Sequence, residues 1–200
     1  MKWVIATEDL PSEAVAERLV EQTGGTIDLR FGEKGNGYLR ANMGKFRQLA
    51  VRHPTLILPD LDQTPCAPEL RAKWQLGPEL PERLSFRVVV REIESWLLAD
   101  QVGISNFLGV SAARITVRPD EIRDPKAELL KLVSKSTREM KADLLPARSA
   151  SARVGVNYNA RLVQFVRNVW SPERACVNSP SLARARKNIC EIAARLRSDS

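Results

Sequence analysis

The spacing of apolar positions changes along this chain, and the changes mark its elements. Lys2 to Thr7 is an almost unbroken apolar run, Thr26 to Phe31 alternates, and Thr55 to Leu58 and Leu84 to Val90 are again short apolar runs. Runs of that length predict four β-strands. Between the first two, Ser12 to Gln22 carries Ala14, Val15, Leu19 and Val20 at helical spacing, with Ser12 placed to cap it and Gly24-Gly25 to close it. Leu39 to Val51 predicts a second helix, stopped by His53-Pro54, and Glu92 to Asp100 predicts another directly after the fourth strand. Gly32 to Gly37 reads as a flexible loop. Strands alternating with helices predict parallel βαβ units.

Beyond Asp100 the pattern becomes helical only. Asp124-Pro125-Lys126 is a helix start, an N-cap followed by proline at the first helical position. That helix continues through Leu129, Leu130, Leu132 and Val133. Asn159 to Trp170 predicts another, with Leu162, Val163, Phe165, Val166 and Val169 facing inward. Ser179-Pro180 opens the last, which carries Leu182, Ile189, Ile192, Ala193 and Leu196. Ala147 to Tyr158 is the least regular stretch and reads as a loop. The expected organisation is an α/β core over residues 1–102 and a helical C-terminal part over 103–200, packed together as one domain. The fold class is α/β, a parallel sheet flanked by helices.

Composition supports a packed core and excludes disorder, since hydrophobic residues make up 44%. No apolar run approaches a membrane span, and Met1 to Ile5 leads straight into a strand without a signal-peptide pattern. Cys66, Cys176 and Cys190 are widely spaced and lack paired metal spacing, so the expectation is reduced thiols in a cytoplasmic protein. The net charge of +7 favours polyanionic partners. From Ala147 onward arginines far outnumber the acids Glu173, Glu191 and Asp199, whereas the acidic clusters lie in the first half.

Those clusters carry the chemistry. The first strand stops at Glu8-Asp9 and the third at Pro59-Asp60-Leu61-Asp62. Carboxyl ends of parallel strands are where open α/β sheets place their sites. Residues two apart on a strand share a face, which would set Asp60 and Asp62 about 7 Å apart at their Cα atoms. Carboxylates so close repel unless a cation lies between them or one holds a proton. Mg²⁺ accepts one or two carboxylates, with waters and substrate phosphate completing its shell. Glu8 either completes that site or serves as a general acid or base. An isolated Asp-x-Asp is ordinary turn chemistry; two apolar strands each ending in acid make a stronger pattern. Glu92 and Glu94 form a third acidic pair at the start of an otherwise apolar helix, where the helix dipole alone would favour them. Trp96 within it reads as core.

Taken in order, these residues resemble the Toprim-like family known as domain of unknown function 4276. The resemblance rests on Leu58 to Asp62, Arg87 to Asp100, Asp124-Pro125-Lys126, Gly155 to Leu162 and Ser179 to Arg184, and so covers nearly the whole chain. It implies a compact parallel sheet that binds Mg²⁺ or Mn²⁺ through a first-strand glutamate and an Asp-x-Asp, here Glu8, Asp60 and Asp62. In the related nucleases of overcoming-lysogenization-defect type a further helix glutamate takes part; it looks like Glu94, with Glu92 the second choice. Lys126 matches the basic residue that steadies the transition state. Such nucleases often work beside an ATPase in phage defence, which implies an ATPase partner here. The wider Toprim pattern has glycine after the first-strand glutamate where this chain has Asp9, leaving Asp9 as a further ligand candidate.

Arg153, Asn157, Tyr158 and Arg161 mix cations, an amide and an aromatic ring. Such a segment grips phosphates while the ring stacks on a base or sugar; the plainer reading is a turn and a solvated helix face. The single histidine, His53, precedes a proline and offers no catalytic pairing. The expected function is metal-dependent phosphodiester cleavage of nucleic acid, DNA first. The rivals are a non-catalytic module binding nucleic acid or an ATPase, and an enzyme acting on a small nucleotide.

Overall fold

The structure is a computed structural model that describes residues 1–32, 34–147 and 152–198. Part of the predicted Ala147 to Tyr158 loop, residues 148–151, and the acid Asp199 lie outside the described residues.

Strand β1 (Lys2–Thr7) is buried from Trp3 onward, as a strand covered on both faces must be. It pairs in parallel with β2 (Thr26–Gly32) on one side and β3 (Thr55–Leu58) on the other, and β4 (Leu84–Phe86) pairs in parallel with β3. The sheet order is β2-β1-β3-β4. The predicted fourth strand is shorter than its apolar run, with only an isolated bridge from Val89 to Asp60 continuing it.

Alternation along the strands separates two cores. Trp3, Ile5, Leu56 and Leu58 face one side, where helix α1 (Leu10–Glu21) packs. Ala6 and Ile57 face the other, against α2 (Gly35–Ala41), α3 (Met43–Leu49) and α4 (Ala67–Lys73). The predicted single helix over Leu39 to Val51 is two, because the Asn42 side chain donates to the Tyr38 carbonyl and its backbone leaves helical geometry. The cap of α1 is Asp9, not Ser12: the Asp9 carboxylate accepts from the Ser12 backbone N–H at 2.9 Å and its hydroxyl at 2.6 Å.

The C-terminal helices join the α1 face. They are α5 (Ile93–Ala99), α6 (Gln101–Leu108), α7 (Pro125–Val133), α8 (Arg138–Leu144), α9 (Tyr158–Asn168), α10 (Pro172–Asn178) and α11 (Pro180–Ser198), with two 3₁₀ turns between α6 and α7. Helix α5 is buried along its whole length, and its Trp96 donates to Ser181 at the start of α11. Trp170 in turn donates to the Trp96 carbonyl. Along α9, Leu162, Phe165 and Val166 are buried as expected, but Val169 is exposed.

One carboxylate ties these helices together. Asp100 is fully buried between α5 and α6. It accepts from the Gly103 and Ser171 backbone N–H groups and takes both a 2.7 Å and a 2.6 Å bond from Arg174. Gly103 is required there, since an added Cβ would collide with the Asp100 carboxylate. Removing the carboxylate would leave a guanidinium and two backbone donors without their partner.

Asp100→Ala is therefore expected to lower stability by about 3–5 kcal/mol in urea unfolding. Glu121→Ala, which breaks an exposed pair with Arg118, should lower it by less than about 1 kcal/mol. Equal effects would remove Asp100 from this structural role.

Candidate active site

Strand order β2-β1-β3-β4 fixes where a site belongs. The chain leaves β1 toward β2 on one side and returns to β3 on the other. The crevice at such a reversal opens beyond the carboxyl ends of the two central strands. Glu8 follows β1 and Asp60 follows β3, so the two acids stand on either lip of that crevice.

Local structure holds them there. At the end of β2, Gly32 lies so close to the Thr7 carbonyl that any side chain would clash, which lets the strand end pack beside Glu8. The Gly35 N–H then donates to the Glu8 carbonyl, opening α2. Asn36 of that helix donates from one amide nitrogen to the Asp60 carbonyl at 3.0 Å and to the Asp62 carboxylate at 2.9 Å. The expected flexible glycine loop is thus in part a helix that braces the acidic segment. On the other side, the Leu61 and Asp62 N–H groups donate to the Arg91 carbonyl, and the Arg91 guanidinium returns bonds to the carbonyls of Asp62 and Thr64.

The predicted same-face pairing of Asp60 and Asp62 is corrected by this geometry. β3 ends at Leu58, and Asp62 has φ 50°, the left-handed region that Asp tolerates in turns. Strand alternation does not reach it. Asp60 is 7% exposed, while Asp62 lies open to solvent.

Glu94 is also buried, in the first turn of α5. Tyr158 donates its hydroxyl to one Glu94 oxygen at 2.8 Å, and the Lys126 ammonium lies 3.5 Å from that same oxygen. The Lys126 backbone N–H faces a Glu92 oxygen at 3.4 Å, so both acids of the pair meet the start of α7. The other Glu94 oxygen and one oxygen of Asp60 are buried without a hydrogen-bond partner among the described residues.

The protonation energetics follow. Burial pushes Glu8 up to about 7, and the nearby Asp62 charge adds to it. Burial raises Asp60 well above the usual range, reinforced by Glu8 and then Glu94. Burial raises Glu94 also, although Lys126 and the Tyr158 hydroxyl pull the other way. For Lys126, burial favours the neutral amine, but Glu94, Glu92 and further carboxylates outweigh it and hold the ammonium charged.

The C-terminal segment is arranged differently from its expected role. Tyr158 is 3% exposed and serves Glu94, so it presents no face for stacking on a base. Arg161 is taken up by Glu139 and Asp143, and Asn157 also donates to Asp143. Only Arg153 of that set opens onto the acidic site. It lines a cleft of about 510 Å³ with Asp62, Arg91, Glu92, Arg123 and Lys126. Asn36, Arg91 and Arg123 were not anticipated. Arg91 had a signal, its position directly before Glu92 in the acidic stretch; Asn36, read as part of a glycine loop, and Arg123 had none.

The donor set suits a small hard cation: every ligand candidate is a carboxylate, and two buried oxygens lack partners. Among the described residues, however, no three acidic, histidine or cysteine side chains close around one point. An ion here would take one or two carboxylates and fill its shell with water. Compared with protein-family models, curated proteins and solved structures, the chain matches none. Among the described residues no helix is long and apolar enough to cross a membrane.

A pH dependence follows from Glu8. An unfolded Glu8 ionises near 4.5, whereas the folded one holds its proton to about 7. Between those values the folded state binds more protons, so stability falls as pH rises through that window. The loss attributable to Glu8 is up to roughly 3 kcal/mol. In EDTA, urea unfolding of the wild type should weaken from about pH 5 to about pH 8 more than that of Glu8→Gln. Parallel pH profiles for the two proteins would exclude a proton held at Glu8.

Proposed function

We propose that this protein is a metal-dependent phosphodiesterase acting on nucleic acid, with its centre at Glu8, Asp60 and Glu94. The observation that carries the reading is the pair of partnerless carboxylate oxygens, on Asp60 and Glu94, buried beside a cleft lined by cations. Uncompensated buried charge is expensive to fold and is retained where a cation or a proton transfer uses it. The placement of Glu8 after the first strand and Asp60-Leu61-Asp62 after the third supports the Toprim-like resemblance. That resemblance is also what supports an ATPase partner.

Asp60 and Glu8 would hold Mg²⁺ or Mn²⁺, with Glu94, Asp62 and Glu92 as neighbouring carboxylates. The ion would supply Lewis acidity toward the phosphodiester and its attacking water. The chain's own groups supply the rest. Glu8 holds its proton to about 7 in the metal-free site, so binding the ion there would release that proton. Lys126, held charged by Glu94, lines the cleft and offers a cation to phosphate oxygens. Tyr158 fixes the Glu94 carboxylate through its hydroxyl and keeps that oxygen from turning away.

A second reading has its own support. Since no three acidic, histidine or cysteine side chains among the described residues close around one point, a non-catalytic module that binds nucleic acid or an ATPase also fits the fold.

Purified protein incubated with plasmid and with single-stranded DNA decides between them. Cutting should require Mg²⁺ or Mn²⁺, stop in EDTA, and fall by about 100-fold or more in Asp60→Ala/Asp62→Ala. Cutting that survives in the double variant would overturn the site. No cutting by the wild type, with nucleic acid still bound, would favour the module.

A further inference from the structure

The cleft beside the carboxylates has a charge arrangement that the catalytic reading alone does not require. It is lined by Arg91, from the segment after β4, and by Arg123, Lys126 and Arg153, from the C-terminal part. Lys126 is committed to Glu94. Arg91 spends its hydrogen bonds on two backbone carbonyls, so no carboxylate within ion-pair distance neutralises it among the described residues. Arg123 and Arg153 make no hydrogen bond or ion pair to any described residue. This contrasts with most arginines nearby in sequence: Arg118, Arg161, Arg167 and Arg174 all pair with carboxylates.

The cleft wall also carries the charged acids Asp62, Glu92 and Asp124, which form no ion pair with Arg91, Arg123 or Arg153 among the described residues. Asp124 turns inward to cap α7 through the Ala127 N–H, Asp62 accepts from Asn36, and Glu92 faces the Lys126 backbone. These acids carry local structure, whereas Arg123 and Arg153 are left for an outside anion. The remaining lining is Gln63, Ala127, Leu130 and Val154, with no aromatic ring among the described residues.

Resting on the phosphodiesterase reading, we infer that this cleft takes one strand of nucleic acid by its sugar–phosphate backbone, Arg123 and Arg153 gripping a phosphate next to the one at the carboxylates. Cations supplied from two parts of the chain suit a strand that lies among them. A cleft of about 510 Å³, the size of an ordinary small-ligand pocket, has room for a short stretch of one backbone rather than for a whole base-paired duplex. Strand-binding grooves that hold bases do so by aromatic stacking. Without an aromatic wall, contact falls on phosphates and sugars, which carry no sequence information. The substrate is therefore a single strand, or a frayed end, accepted without regard to base.

Binding measured in EDTA separates this inference from catalysis. The probes are a labelled short oligothymidylate, an oligodeoxyadenylate of the same length and their duplex, followed by fluorescence anisotropy. The wild type should bind both single strands alike and the duplex at least about tenfold more weakly. Arg123→Gln/Arg153→Gln should weaken single-strand binding about tenfold or more. It should also flatten the dependence of log affinity on log salt by about 1.4, two phosphate contacts at about 0.7 each. Its urea midpoint should match the wild type, because neither side chain has a partner to lose among the described residues.

Unchanged affinity in the double variant, or duplex bound as tightly as single strand, would overturn the cleft assignment. Metal-dependent cutting that persists in that case would leave the phosphodiesterase reading standing. Binding lost in the double variant, in a wild type that never cuts with metal, would keep the cleft and remove the catalysis.

Discussion

The structure is organised around negative charge held out of water at the reversal point of a parallel sheet. Asp60 and Glu94 are nearly fully buried, and Glu8 lies beside Asp60. Buried carboxylates demand compensation. The sheet half offers little: its Asn36 amide and Arg91 guanidinium bind Asp62 and backbone carbonyls rather than the buried acids. The compensation comes from the helical half, as the Lys126 ammonium from α7 and the Tyr158 hydroxyl from α9. Both meet the same oxygen of Glu94. The helices after residue 100 are thus more than a cover for one face of the sheet, since they bring the cation and the donor that make Glu94 tolerable.

The compensation is incomplete, and its incompleteness is informative. Asp100 shows what a satisfied buried carboxylate looks like in this chain: two backbone donors and a two-pronged arginine. Asp60 has nothing comparable, and one of its oxygens has no hydrogen-bond partner among the described residues. The same fold that encloses one carboxylate in four bonds leaves another short. A structural role explains Asp100 and does not explain Asp60. The contrast between them separates an acid that holds helices together from one that awaits a ligand or a proton.

Much of this was legible in the sequence where local punctuation was strong. Pro54 and Pro59 bracket Thr55 to Leu58, and the strand has those bounds. Asp124-Pro125 starts its helix as written, the Asp side chain accepting from Ala127. Helices α4, α6, α8 and α10 were not seen, because seven or eight residues give too few turns for a periodic pattern to stand out; α5, as short, was seen because it is mostly apolar and directly follows a predicted strand. Asp9 was taken as a ligand candidate when its side chain caps α1, because Ser12 three residues later is an equally good cap on paper. Glu8 and Asp60 stood out because apolar runs ended at them, and Glu94 because it opens an otherwise apolar helix. Tyr158 and Arg161 were misplaced because whether a polar side chain meets solvent or a buried acid is decided by elements far away in sequence, here Glu94 and the end of α8.

The two acids of Asp60-Leu61-Asp62 illustrate how backbone conformation can divide one motif into two functions. Were both on a strand, they would share a face and an environment, and their protons would be coupled as a pair. Instead the strand ends before them, Leu61 turns into the core, and the positive φ at Asp62 swings that carboxylate out to Asn36 and solvent. Asp60 is left dry, close to Glu8, and pushed toward its neutral form by burial first and that neighbour second. Acids placed in unlike environments take unlike roles. The exposed member borders the cleft where a strand would enter, and the buried member faces Glu8 and Glu94, where charge can be relieved only by a cation or a proton. The turn between them, fixed by the Arg91 carbonyl and the Asn36 amide, is what makes the two environments different.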